Sequence, residues 1–311
     1  MVNTTSQMRK YAVVLLRMMF VAGVIYFVHN SLGGDWTFVL ETLRQVSLQR
    51  LSGALLLVVL GLCCTAIVWQ RLLFGYGHRI PNSAGYQVFF VGQLGKYIPG
   101  FVWTLAAQAT MARQFCVPSR VAVATGLVFL HWNVASAASL GAVLALLGHV
   151  PASVPKWATM GVALAGSLAM TPYVVAALAN ALGASANRYR AGWRDTRIIA
   201  AMMAATWIAY GGAVVLVAPK AAGPATLSIG VADAVAAYTI AYVFGVMAFL
   251  APAGFGVREA FLAYLLIPIF DVPTAAGISL LIRVIHTVAD SSMAVIALVA
   301  VRIVGSFDSG P

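Results

Sequence analysis

SAGYQVFFVGQLGKYIPGFVWTLAAQATMAR, residues 83–113, is apolar along most of its length and is interrupted in the middle by GKYIPG at 95–100. Proline removes a backbone donor and glycine loosens the chain, so a helix cannot run through Pro99-Gly100 undisturbed. At a rise of about 1.5 Å per residue, the limb 83–98 reaches about 24 Å and the limb 101–113 about 20 Å. A full hydrocarbon crossing takes about 30 Å. Two limbs that each fall short predict a helical hairpin that enters and leaves an apolar layer on the same side. A second region, 227–270, is broken in the same manner by APAGFGVRE at 251–259, which carries Pro252, Gly254 and Gly256. There the limb 227–250 is long enough to cross, so length alone leaves its course undecided.

The surrounding composition supports the apolar layer. Of 311 residues, 62% are hydrophobic and only 9% are charged, against roughly 45–50% and about 25% in soluble domains. Continuous apolar runs predict spans near 11–29, 52–74, 119–147, 155–180, 197–218 and 274–301. The first run contains Arg17 and is followed by no A-x-A-like site, so it reads as a retained span and not a cleaved signal peptide. Segment 36–50 places Trp36, Val39, Leu40 and Leu43 at helical spacing among charges, which suits either an interfacial or a connecting helix. The expected fold is an all-α polytopic membrane protein, a single transmembrane domain over 1–311 with about six full spans and two Pro/Gly-broken hairpins. Such breaks in corresponding places of two halves, 52–147 and 197–301, suggest an inverted repeat.

The net charge of +11 does not point to nucleic acid, because the basic residues stand singly between apolar runs and form no aromatic-interleaved surface. With the N-terminus inside, eleven of them (Arg9, Lys10, Arg71, Arg79, Arg113, Arg120, Arg188, Arg190, Arg194, Arg197, Arg302) fall on one face and four (Arg44, Arg50, Lys156, Lys220) on the other. The positive-inside rule then predicts both termini in the cytoplasm. Cys63, Cys64 and Cys116 form neither a metal nor a disulfide framework.

Charged residues inside the apolar regions carry the functional expectation, since each costs at least about 2.5–3.5 kcal/mol at the bilayer centre on insertion scales. Lys96 ends the first half-helix, where it could face a phosphate or extend to the interface. Arg258 and Glu259 follow Gly254 and Gly256 at a predicted helix start, whose free N–H groups favour anions. Arg283, His286 and Asp290 fall at i, i+3 and i+7 on one helix face. They suit either a structural network or a polar path. His131 belongs to the same class of candidates, though a satisfied interior histidine explains it equally well. No H-E-x-x-H, G-x-x-x-x-G-K-[ST] or G-x-S-x-G pattern is present, and no catalytic, metal or cofactor site is expected.

GQLGKYIPGFVW (92–103) and PAGFGVREA (252–260), followed by LLIRV (280–284), resemble the flippase-like integral membrane family that includes the transmembrane region of bacterial lysylphosphatidylglycerol synthases. The resemblance covers roughly residues 10–302. It implies re-entrant hairpins and movement of lipids or lipid-linked headgroups between leaflets of the cytoplasmic membrane. It carries over Lys96, Pro99, Gly100, Pro252, Gly254, Gly256, Arg258, Glu259 and Arg283, while Ala253 stands where a second glycine is expected. The soluble aminoacyl-transfer domain of the synthases has no counterpart in this sequence. The expected partner is a membrane lipid with a phosphate headgroup, with a lipid or glycan synthase as a further one. The alternatives are a polyprenyl-phosphate-dependent transferase using Glu259 and Asp290, and a non-transporting synthase partner.

Overall fold

The structure, a computed structural model, describes residues 44, 46–98, 102–150, 155–183, 189–190, 192–219, 229–248 and 254–307. Among the described residues, the regular structure is entirely helical. That is the form an apolar chain takes when no water is present to satisfy its backbone. Four helices are long and apolar enough to cross a membrane: α1 (Leu48–Gly75), α4 (Ser119–Leu146), α7 (Trp193–Val217) and α10 (Val272–Phe307, apolar over Val272–Ala300). Leu56, Leu60, Leu164, Leu168, Val295 and Ile296 point outward, as fits insertion in lipid. The proposed first span, 11–29, and most of segment 36–50 lie outside the described residues. The last three residues of that segment open α1, where Ser47 caps the Arg50 N–H.

Between α1 and α4 the chain forms α2 (Asn82–Gln93), a 3-10 turn over Leu94–Tyr97, and α3 (Val102–Ala112). Between α7 and α10 it forms α8 (Val231–Met247) and α9 (Val257–Leu266). The limbs of each pair pack against one another. Glycines permit these crossings: a Cβ on Gly95 would lie 2.6 Å from the Thr104 nitrogen, and one on Gly254 would lie 2.7 Å from the Gly245 carbonyl oxygen.

One expected span is corrected. Residues 155–180 form not one straight crossing but two helices, α5 (Lys156–Ala169) and α6 (Pro172–Leu182), bent by 66° at the break. Hydropathy is continuous through this region, but Pro172 at the start of α6 prevents α5 from continuing. The described residues therefore contain four straight candidate spans, or five if the bent pair counts as one.

The packing follows a regular scheme. α1 packs on α7, α2 on α10, α8 on α4, α3 on α4 and α9 on α10. Exchanging α1–α4 with α7–α10 in order maps the α1–α7 pair onto itself and each of the other packed pairs onto another. α1 and α7 run antiparallel: Arg50 at the start of α1 donates to Ala218 just beyond α7, and Arg71 near the end of α1 pairs with Asp195 in the first turn of α7 at 3.5 Å. Small residues let them meet, with Gly61 against the Tyr210 ring and its carbonyl accepting from Thr206. Antiparallel equivalent helices are the arrangement that inverted repeats require.

Candidate functional site

The polar stripe of α10 turns inward. Asp290 is 2% exposed and His286 is 6% exposed, and both hairpins close on this stripe. From the first hairpin, the 3-10 turn after α2 brings Lys96 and Tyr97 together onto Asp290. The Lys96 ammonium stands 2.7 Å from Asp290 Oδ2, and the Tyr97 hydroxyl donates to the same oxygen at 2.6 Å. From the second hairpin comes Arg258, one residue into α9.

The backbone explains the position of Arg258. Gly254 and Gly256 have φ of 68° and 85°, left-handed values that glycine adopts without steric cost. They turn the chain sharply from the end of α8 into α9. Glu259 reaches back to accept the Gly256 N–H at 2.5 Å, so one amide at this helix start is taken by the chain's own carboxylate. Glu259 is buried and does not line the cavity described below; its other oxygen lies 3.4 Å from the Arg283 guanidinium. Arg283 also faces the rings of Tyr97 at 5.8 Å and Phe255 at 5.5 Å, so it stands between the two hairpin tips.

Arg258 has different neighbours. It donates to the Tyr238 hydroxyl and lies over that ring at 4.7 Å. Among the described residues, no carboxylate comes within ion-pair distance of it. The Tyr238 oxygen is 2.7 Å from His286 Nε2. Because a guanidinium can only donate, the phenol oxygen accepts from Arg258 and has His286 as its second hydrogen-bond partner.

These groups line one cavity of about 280 Å³. Lys96, Tyr97, Tyr210, Tyr238, Tyr242, Arg258, Arg283, His286 and Asp290 form its polar wall. Leu62, Phe89, Leu105, Phe129 and Leu130, from α1 to α4, form a mainly apolar wall that also carries Thr65, Gln93, Thr104 and Asn133. Gly254 also borders the cavity, whereas Pro99, Gly100 and Pro252 lie outside the described residues. His131 is not part of it. Its Nε2 meets the Ala169 carbonyl at 2.9 Å, at the α5–α6 bend, so it ties the bend and takes no place on the polar path. Asp233 likewise serves structure, accepting the Gly230 N–H at the start of α8 and pairing with His149.

Sequence reasoning missed the four tyrosines. Tyr97 adjoins Lys96 inside a motif already singled out, and Tyr238 and Tyr242 fall one helical turn apart in an apolar run. Both were signals that could have been used. Tyr210 carried no comparable signal. Among the described residues, the Tyr210 and Tyr242 hydroxyls make no hydrogen bond within the protein, and both side chains border the cavity. Comparison with known family models and with curated proteins finds no match to this chain.

Proposed function

We propose that this chain is a lipid translocator. It would hold a phosphate-bearing headgroup in the cavity between the two hairpins and α10 while the acyl or isoprenoid chains lie along the apolar wall toward the bilayer. The observation that carries this reading is Arg258, a guanidinium in an amphipathic cavity with phenol and ring contacts but, among the described residues, no carboxylate partner. A cation held away from bulk water without a counter-charge favours an anionic ligand, and the planar guanidinium suits a phosphate. The exchange symmetry of the helix packing supports alternating access around a fixed site. The flippase-like family resembled by the two break motifs supports the same activity. In this reading the protein lies in the cytoplasmic membrane with both termini inside.

The test is translocation of labelled phospholipid in reconstituted vesicles at equal protein density. Arg258→Ala removes a charge-assisted contact of about 1.5–3 kcal/mol, so the rate should fall roughly ten- to more than a hundredfold. Arg258→Lys should fall less, because a point charge replaces a bidentate fork. Wild-type rates in Arg258→Ala would overturn the assignment. Glu259→Gln should slow transport only partly, since glutamine can still accept the Gly256 N–H; complete loss would favour a transferase using that carboxylate.

A further inference from the structure

We infer that the cavity selects a headgroup carrying a single negative charge, a phosphodiester, over phosphomonoester and diphosphate lipids. This rests on the translocator reading and narrows its substrate. Three cations, Lys96, Arg258 and Arg283, face the site, but two are already committed. Lys96 is held by Asp290 at 2.7 Å and Arg283 by Glu259 at 3.4 Å. Among the described residues, three cations against two carboxylates leave one uncompensated positive charge, and it resides on Arg258.

The remaining donors are neutral. Tyr210 and Tyr242 border the cavity with hydroxyls that have no partner within the protein, among the described residues. Their rings lie in one aromatic group with Tyr238, the residue beneath Arg258: Tyr210 is 5.4 Å from Tyr238, and Tyr242 is 4.9 Å from Trp207, which itself lies 6.4 Å from Tyr238. One guanidinium and two phenols match a phosphodiester, which has two non-bridging oxygens sharing one charge. A second negative charge would need a second cation. Releasing Lys96 would strand Asp290, a carboxylate that is 2% exposed, and uncompensated buried charge is strongly unfavourable. A zwitterionic headgroup would bring an ammonium to a site that already holds an excess positive charge.

The experiment is competitive lipid binding to the purified full chain, read by native mass spectrometry, alongside translocation of each lipid in vesicles. The probes are phosphatidylglycerol, phosphatidylethanolamine, phosphatidic acid, a polyprenyl diphosphate and the water-soluble phosphodiester glycerophosphoglycerol. Phosphatidylglycerol should bind at least about tenfold better than the polyprenyl diphosphate. Asp290→Asn adds a net positive charge and should shift that ratio at least about tenfold toward the diphosphate. The Lys96→Met, Asp290→Asn double variant removes both members of the pair and should restore the original order. Should Asp290→Asn not fold, Tyr210→Phe with Tyr242→Phe keeps the charge and should weaken all phosphate lipids without changing their order. Translocation with preference for the diphosphate or for phosphatidylethanolamine overturns the selectivity while sparing the translocator reading. Selective binding with no translocation of any lipid overturns the translocator reading while sparing the charge selectivity. Equal competition by glycerophosphoglycerol would mean a soluble anion is the ligand, and would overturn both.

Discussion

In the first hairpin Lys96 reaches across to Asp290 on α10 and is neutralised there at 2.7 Å, whereas in the second hairpin Arg258 leans on Tyr238 of its own hairpin and meets no carboxylate among the described residues. The two motifs look alike in sequence, each a cation beside glycine in an apolar region. Their surroundings separate them. A cation paired across the two halves of the molecule ties one to the other and has little charge left for a ligand. A cation set over a neutral phenol keeps its charge available. Under the proposed function the first hairpin would serve mainly as a clamp and the second as the ligand-bearing limb.

The largest expected effect tests the scaffolding of that contrast. Gly254→Ala meets both a left-handed φ of 68° and the Gly245 carbonyl oxygen at 2.7 Å, so it should destabilise the fold by roughly 2–5 kcal/mol from backbone strain and overpacking together. Gly95→Ala meets the Trp103 and Thr104 backbone, at 2.6–2.8 Å, without a left-handed φ, and should cost about 1–3 kcal/mol. Thermal unfolding in detergent compares them, and equal losses would erase the difference between the two turns.

The next effect separates clamp from ligand limb. Lys96→Met leaves Asp290 buried without its ammonium. Breaking a buried pair costs about 3–5 kcal/mol, and since Lys96 is 32% exposed screening reduces the expected loss to about 2 kcal/mol. Adding Asp290→Asn should recover most of it. Arg258→Met gives up a charge-assisted bond of about 1.5–3 kcal/mol but also removes a cation that has no carboxylate within ion-pair distance among the described residues, so its net cost in stability should be about 1 kcal/mol or less. Its translocation rate should nevertheless fall further than that of the Lys96→Met, Asp290→Asn protein. The reverse ranking would exchange the roles of the two hairpins. The smallest effect lies outside both: His131→Phe removes the bond to Ala169 at the α5–α6 bend and should lower stability by about 1 kcal/mol with translocation unchanged. A transport defect at normal stability would return His131 to the polar path.

Much of the helix order was legible from residues alone. The runs 52–74, 119–147, 197–218 and 274–301 lie close to α1, α4, α7 and the apolar part of α10, and the two breaks fall between the hairpin limbs. The run 155–180 misled because mean hydropathy records how apolar a segment is and not its direction; Pro172 was the overlooked sign of the 66° bend. At the site, the inward stripe of Arg283, His286 and Asp290 followed from helical spacing and the cost of charge in lipid. Glu259 was expected beside Arg258 at a helix start, and its bond back to the Gly256 N–H is a detail that only the structure supplies.

What the sequence determined by itself is the class of fold, the places where helices break and the identity of the charges held inside. These depend on local properties: an apolar run in a water-free layer must satisfy its backbone within itself, and a proline or glycine acts on its own turn. The tertiary structure alone decided which charges cancel. Lys96 and Asp290 are 194 residues apart and Tyr238 and His286 are 48 apart, so no periodicity relates them. Their energies depend on contact at a few ångströms in a site screened from water, and only the packing of both hairpins against α10 sets those distances and leaves Arg258 without a carboxylate within ion-pair distance among the described residues.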